Sequence, residues 1–274
     1  MITFANRRSR NTLIAAAVLV VFGAFTYVYG ASLRDPMFLT GWVLLAGCLM
    51  LALLNSRKKL PMLPLGTAAM WVQFHIYLGW VIIGAFLLHG GVTPPAGPLE
   101  LALWIVFLLI AASGIFGAFL SREVPHRMAR VEEPILFERI TGFRRQLAEE
   151  AHQLALKSIT DLKSATIAQF YADRLQPFLA GPRNLLGHLV QHSGQRRKLC
   201  RDLGALERYL DGDGKACAGR LKEIVEAKDS LDSQYAHLGL MRLWLFVHIP
   251  LTYSLLLLAA VHLVAVYAYT AGAP

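Results

Sequence analysis

The chain has 274 residues, 55% of them hydrophobic and 16% charged, with a mean hydropathy of +0.47 and a formal charge of +9. Soluble domains carry about 25% charged residues, so this composition excludes an ordinary soluble enzyme. The charge is also segregated: 19 basic and 16 acidic residues fall between Ser121 and Leu240, leaving eight basic residues and two acids, Asp35 and Glu100, for the rest. A nearly neutral majority with a small positive block excludes nucleic acid as a partner.

Five stretches are apolar and long enough to cross a hydrocarbon core, which takes roughly 20 helical residues. They run about Thr12–Gly30, Met37–Leu54, Ala68–His89, Leu99–Leu120 and Leu240–Tyr269. The first follows Arg7, Arg8 and Arg10 as a signal peptide would, but Tyr29 crowds the candidate cleavage site, so an uncleaved anchor is expected. Basic residues set direction. Arg7, Arg8 and Arg10 precede the first span; Arg57, Lys58 and Lys59 follow the second; Arg122, Arg127 and Arg130 follow the fourth. The alternate loops hold Arg34 alone. The N-terminus and residues 121–239 are therefore expected in the cytoplasm, with the C-terminus outside.

The expected organisation is all-α and polytopic: four spans in 1–120, a helical cytoplasmic insertion over 121–239, and a fifth span in 240–274. Within the insertion, Pro134 suits a first helical turn, and Ile135, Ile140, Phe143, Leu147 and Leu154 approximate an amphipathic stripe. Gly181-Pro182 breaks the pattern. Asp211-Gly-Asp-Gly214 lacks the later ligands of a calcium loop and reads as a turn. His188 and His192, four apart, are expected on a solvated face. The insertion reads as a docking and assembly platform.

Four of the nine histidines lie inside apolar spans, where ionisable groups are costly and tend to be functional. His75 and His89 share the third span, His248 and His262 the fifth, and each pair is fourteen residues apart. Fourteen residues is just under four helical turns, so each pair shares one face with its members about 21 Å apart along the axis. Both spans run in the same direction, which puts His75 level with His248 and His89 level with His262. Such sites are too far apart for one metal ion, and no carboxylate within these spans completes a zinc or di-iron set. The three cysteines, Cys48, Cys200 and Cys217, include no CxxC or CxxCH for a cluster or covalent haem. A haem iron takes one neutral imidazole from each side. Two bis-His b-type haems are therefore expected, with Gly79, Gly84, Gly114 and Gly117 leaving room for the porphyrin faces. Arg122 and Arg242, near the cytoplasmic boundary, are candidates for pairing with haem propionates.

Two helices that each carry a His-x13-His pair resemble the dihaem cytochrome b of quinol:cytochrome c oxidoreductases and, more broadly, dihaem b-type anchors of bacterial respiratory oxidoreductases. The resemblance covers the third to fifth spans. Its most distinctive run is Trp-Leu-Phe-Val-His-Ile-Pro-Leu-Thr-Tyr from Trp244 to Tyr253, joined by Lys-Asp-x-Leu-Asp-x-Gln-Tyr from Lys228 to Tyr235. The chain has five spans rather than eight and lacks the Pro-Glu-Trp-Tyr motif, so the resemblance carries the haems and not the Q-cycle. It implies transmembrane electron transfer in a bacterial inner membrane between the quinone pool and partner redox subunits (a c-type cytochrome, an Fe–S protein or a flavoprotein). It implies an electron-transfer subunit with no complete reaction of its own. Asp35 and Glu100, at the outer face, are either proton acceptors for a quinol or helix-cap groups. Two other readings remain open: a non-redox scaffold whose histidines bond across helices, and a transporter that uses them as proton relays.

Overall fold

The computed structural model describes residues 4–32, 35–57, 67–128, 136–160, 165–190 and 194–270. Arg34, Lys58, Lys59, Arg130, Pro134, Ile135, His192 and the last four residues, all used in the sequence reading, lie outside them. Among the described residues the chain is helical, without a strand. It divides by contact into two units, Met1–Phe119 with Trp244–Pro274, and Leu120–Leu243.

The first unit holds α1 (Phe4–Ala31), α2 (Pro36–Arg57), α3 (Ala68–Gly90), most of α4 (Pro98–Met128) and the end of α10 (Gly212–Thr270). All five helices are long and apolar enough to cross a membrane, and only 6% to 17% of the residues in their most apolar windows are buried. Val20, Tyr27 and Leu257 are each more than two-thirds exposed. Apolar surface on that scale is stable only when lipid covers it, which makes this a multi-pass membrane protein in contact with lipid.

Local chemistry sets the helix ends. Asp35 accepts a hydrogen bond from the Met37 N–H at 2.8 Å and caps α2, with Pro36 in the first helical position. Thr67 caps α3 by accepting from the Met70 N–H. Small residues let the helices approach, as is usual in lipid. A β-carbon on Gly47 of α2 would overlap the Ile82 side chain of α3, and one on Gly84 of α3 would overlap Leu19 of α1. Within this unit α3 packs most extensively against α2 and then α1. At mid-depth Ile82, Phe86, Phe107 and Leu255 form the core, with the Phe86 and Phe107 rings stacked at 3.9 Å.

The second unit comprises the end of α4, then α5 (Phe137–Thr160), α6 (Ala165–Phe170), a π-turn (Tyr171–Leu175), α7 (Gln176–Leu179), α8 (Leu185–Leu189), α9 (Gly194–Leu206), a 3-10 turn (Glu207–Tyr209) and the first part of α10. Its core joins Ala151, Ala155, Ile167, Leu175, Phe178, Leu203, Leu221 and Val225. Asp211 accepts from the Gly214 N–H at 2.8 Å, so the Asp-Gly-Asp-Gly run opens α10 as a cap.

The expected stripe on α5 is corrected at one position. Ile140 is fully buried, whereas Phe143 is exposed and Arg144 is buried in its place. The inward face runs Ile140, Arg144, Ala151, Ala155 and Ser158, spacings of three, four and seven. An arginine holds a core position because Asp232 of α10 faces it at 3.3 Å. His188 likewise departs from the solvated face expected for it: it is buried, with Nε2 3.7 Å from Asp229.

Candidate functional site

Both histidine pairs lie in the first unit. The ring centres of His75 on α3 and His248 on α10 are 6.4 Å apart, with the rings inclined at 69°. His89 and His262 line one cavity of about 430 Å³, within the range of ligand sites. Its walls are Phe38, Leu45, Phe107, Leu255 and other apolar side chains, with Glu100 and Trp104 added from α4. Ile82 and Leu255, seven residues from each histidine of their own helix, occupy the core between the two pairs.

Three of the four histidines are hydrogen-bonded to a neighbouring helix. His75 Nδ1 donates to the Leu51 carbonyl of α2 at 3.2 Å. A carbonyl can only accept, so the proton sits on Nδ1 and the lone pair on Nε2. One end of the same α2 contacts His89: Thr40 Oγ1 lies 2.9 Å from its Nδ1. The Thr40 hydroxyl proton is directed to backbone carbonyls of Pro36 and Met37, so it accepts from His89 Nδ1–H and again leaves Nε2 bare. On α10, His248 Nδ1 meets Ser113 Oγ of α4 at 3.1 Å, and Ser113 is itself fixed by the Trp244 indole N–H. His262 Nδ1 lies 3.6 Å from Glu100 Oε1, beyond hydrogen-bond range, and is buried without a hydrogen-bond partner among the described residues. Thus α2 serves both histidines of α3, and α4 faces both histidines of α10.

At His75, His89 and His248 this resembles the outer shell of a metal-bound histidine, in which one ring nitrogen is tied to protein. Two imidazoles on opposite sides of one ion, each about 2 Å from it, have ring centres roughly 6 Å apart. The His75–His248 separation matches that figure. Among the described residues no three histidine, cysteine, aspartate or glutamate side chains converge, so the chain offers two ligands at each level. A porphyrin would supply the remaining four of a six-coordinate iron. In the His89–His262 cavity two buried polar atoms, His262 Nδ1 and Trp104 Nε1, have no hydrogen-bond partner among the described residues, consistent with a polar group entering it.

The other candidates divide. Gly79, one turn after His75, has no described residue within 4 Å of an added β-carbon, and at Gly114 such a carbon would lie 3.9 Å from the His248 ring. Both leave space beside the His75–His248 level. Gly84 faces Leu19, and Gly117 faces the Trp244 indole, so protein fills the space at both. Arg122 and Arg242 belong to the second unit. Arg242 is engaged there, paired with Glu138 and lying over the Phe137 ring at 4.0 Å, while Arg122 is exposed. Thr40, Leu51, Ser113 and Trp104 were not singled out in sequence. A hydroxyl inside an apolar span was the available signal at Thr40 and Ser113. No protein-family model matches the chain, and no curated protein or solved structure is significantly similar to it.

Proposed function

We propose that the chain is a transmembrane electron carrier holding two b-type haems, one between His75 and His248 and the other between His89 and His262. The observation that carries this reading is the 6.4 Å spacing of the His75 and His248 rings with Nδ1 of each engaged by a neighbouring helix. When bound, the two haems supply one-electron redox centres at two depths of the bilayer. The chain's own part is to hold His75 and His89 with the proton on Nδ1, set His248 against Ser113, exclude water with Ile82, Phe86, Phe107 and Leu255, and keep the polar lining of the second cavity few in number. Quinone and partner redox subunits are the proposed donor and acceptor, by the resemblance in the third to fifth spans. The basic flanks support a cytoplasmic second unit, with His89–His262 towards the outside.

The hydrogen bonds to Leu51, Thr40 and Ser113 also suit a non-redox scaffold. A pyridine haemochrome assay on the purified chain separates the two. Two b-type haems per chain are expected, falling to one in His89→Ala with the His75–His248 haem retained. A chain without b-type absorbance refutes the proposal, and loss of neither haem in His89→Ala refutes the pairing.

A further inference from the structure

His262 differs from the other three histidines in what stands at its Nδ1. His75 meets a carbonyl, and His89 and His248 meet hydroxyls. Of the four, His262 faces a carboxylate, Glu100 Oε1 at 3.6 Å, and among the described residues its Nδ1 has no hydrogen-bond partner. Glu100 completes the pattern in which α4 faces the histidines of α10, thirteen residues before Ser113 on the same helix.

The carboxylate is held from the other side as well. The Leu101 N–H bonds to the Gly97 carbonyl at 2.9 Å, so Gly97 caps α4 and Glu100 is the third residue of the helix. A glutamate at that position turns back on the cap residue. Here Oε2 occupies the space where a β-carbon on Gly97 would sit, and Cδ would lie 3.0 Å from that carbon. Only a residue without a side chain at 97 leaves the carboxylate in this place. The Glu100 side chain is 45% exposed, so a small rotation brings Oε1 into hydrogen-bond range of His262.

We infer that Glu100 is a positioning residue for the second haem site: it accepts the Nδ1 proton of His262, holding the ring with Nε2 bare and turned into the cavity. This rests on the dihaem reading. A carboxylate acceptor makes the imidazole a stronger donor to iron than a hydroxyl or carbonyl acceptor does, so the two sites are not equivalent. The His89–His262 haem should be the more firmly held for its Glu100 contact and should have its oxidised state favoured by it.

The test compares haem retention and midpoint potential in the detergent-purified chain with Glu100→Ala, Glu100→Gln and Gly97→Ala. Glu100→Ala is expected to release one of the two haems about 10- to 100-fold faster to a haem acceptor such as apomyoglobin. It should also raise that haem's potential and leave the other unchanged. Glu100→Gln keeps an acceptor oxygen without the charge and should restore retention more than potential. Gly97→Ala keeps the carboxylate but moves it, and should reproduce the alanine variant at 100; the displaced group is the end of a flexible side chain, so the fold tolerates it. If Glu100 only caps α4, the potentials of both haems stay where they are in all three variants, and the inference is overturned while the dihaem reading stands. A wild-type chain without haem overturns both.

Discussion

Asp232 accepts from three donors in the interior of the second unit: Lys228 Nζ at 2.5 Å, Arg144 Nη1 at 3.3 Å and the Arg183 N–H at 3.1 Å. Lys228 is 0% exposed and Asp232 1%. Taking such charges out of water is expensive, and one anion that satisfies two cations is what makes the arrangement tolerable. The Phe178 ring beneath Lys228 and the Tyr235 ring beneath Arg144 add face-on contacts to the same two cations. Asp232→Asn removes the anion and leaves both cations buried. We expect it to destabilise this unit by about 3–5 kcal/mol. Hydrogen exchange on the intact chain should then show faster exchange along α5 and residues 212–240. Asp213→Asn, on the exposed first turn of α10, should change nothing measurable. Equal exchange in the two variants would mean that the cluster contributes no stability.

The helices show what was legible in the sequence and why some features were not. The spans announce themselves because lipid requires a continuous apolar run, and four histidines stand out against that background. Their pairing follows from a count of fourteen and a parallel direction. Which atoms face His75 Nδ1 or His248 Nδ1 depends on how α2 and α4 are rotated about their own axes, and no repeat within those helices encodes it. Gly84 and Gly117 looked like porphyrin contacts because a glycine marks close approach without saying to what. The α5 stripe was blurred for a different reason: a buried arginine reads as solvent-facing unless its partner, 88 residues later, is known. Gly79 allows a direct test at this scale. No described residue lies within 4 Å of an added β-carbon there, so Gly79→Leu should leave α3 intact and the chain as abundant as wild type. If that space admits a porphyrin, the haem content should fall from two towards one, with the His89–His262 haem kept. An unchanged content would assign the space to lipid.

Across the whole molecule the proposed function makes a demand on topology, because an electron carrier of the kind proposed must present its two ends to opposite compartments. α10 is one helix of 59 residues, about 88 Å at 1.5 Å per residue, of which a bilayer core needs about 30 Å. Its first part belongs to the second unit and its last part, from Trp244, to the first. By the basic flanks of the spans, residues 121–239 and the α3–α4 connection are expected on opposite sides of the membrane. Two exposed positions report on them: Arg197 on α9, and Val92, 81% exposed, between α3 and α4. Native thiols interfere little. Burial, then the neighbouring Glu226, push the Cys200 thiol up from its ordinary range, and burial does the same for Cys217. A raised thiol pKa means less thiolate at neutral pH and slower labelling. Arg197→Cys should react with a membrane-impermeant maleimide in inverted vesicles and not in right-side-out ones, and Val92→Cys should do the reverse. Labelling of both from one side would break the five-span topology. The opposite sidedness would invert the orientation and place His75–His248 at the outer level, making that pair the one exposed to an external partner.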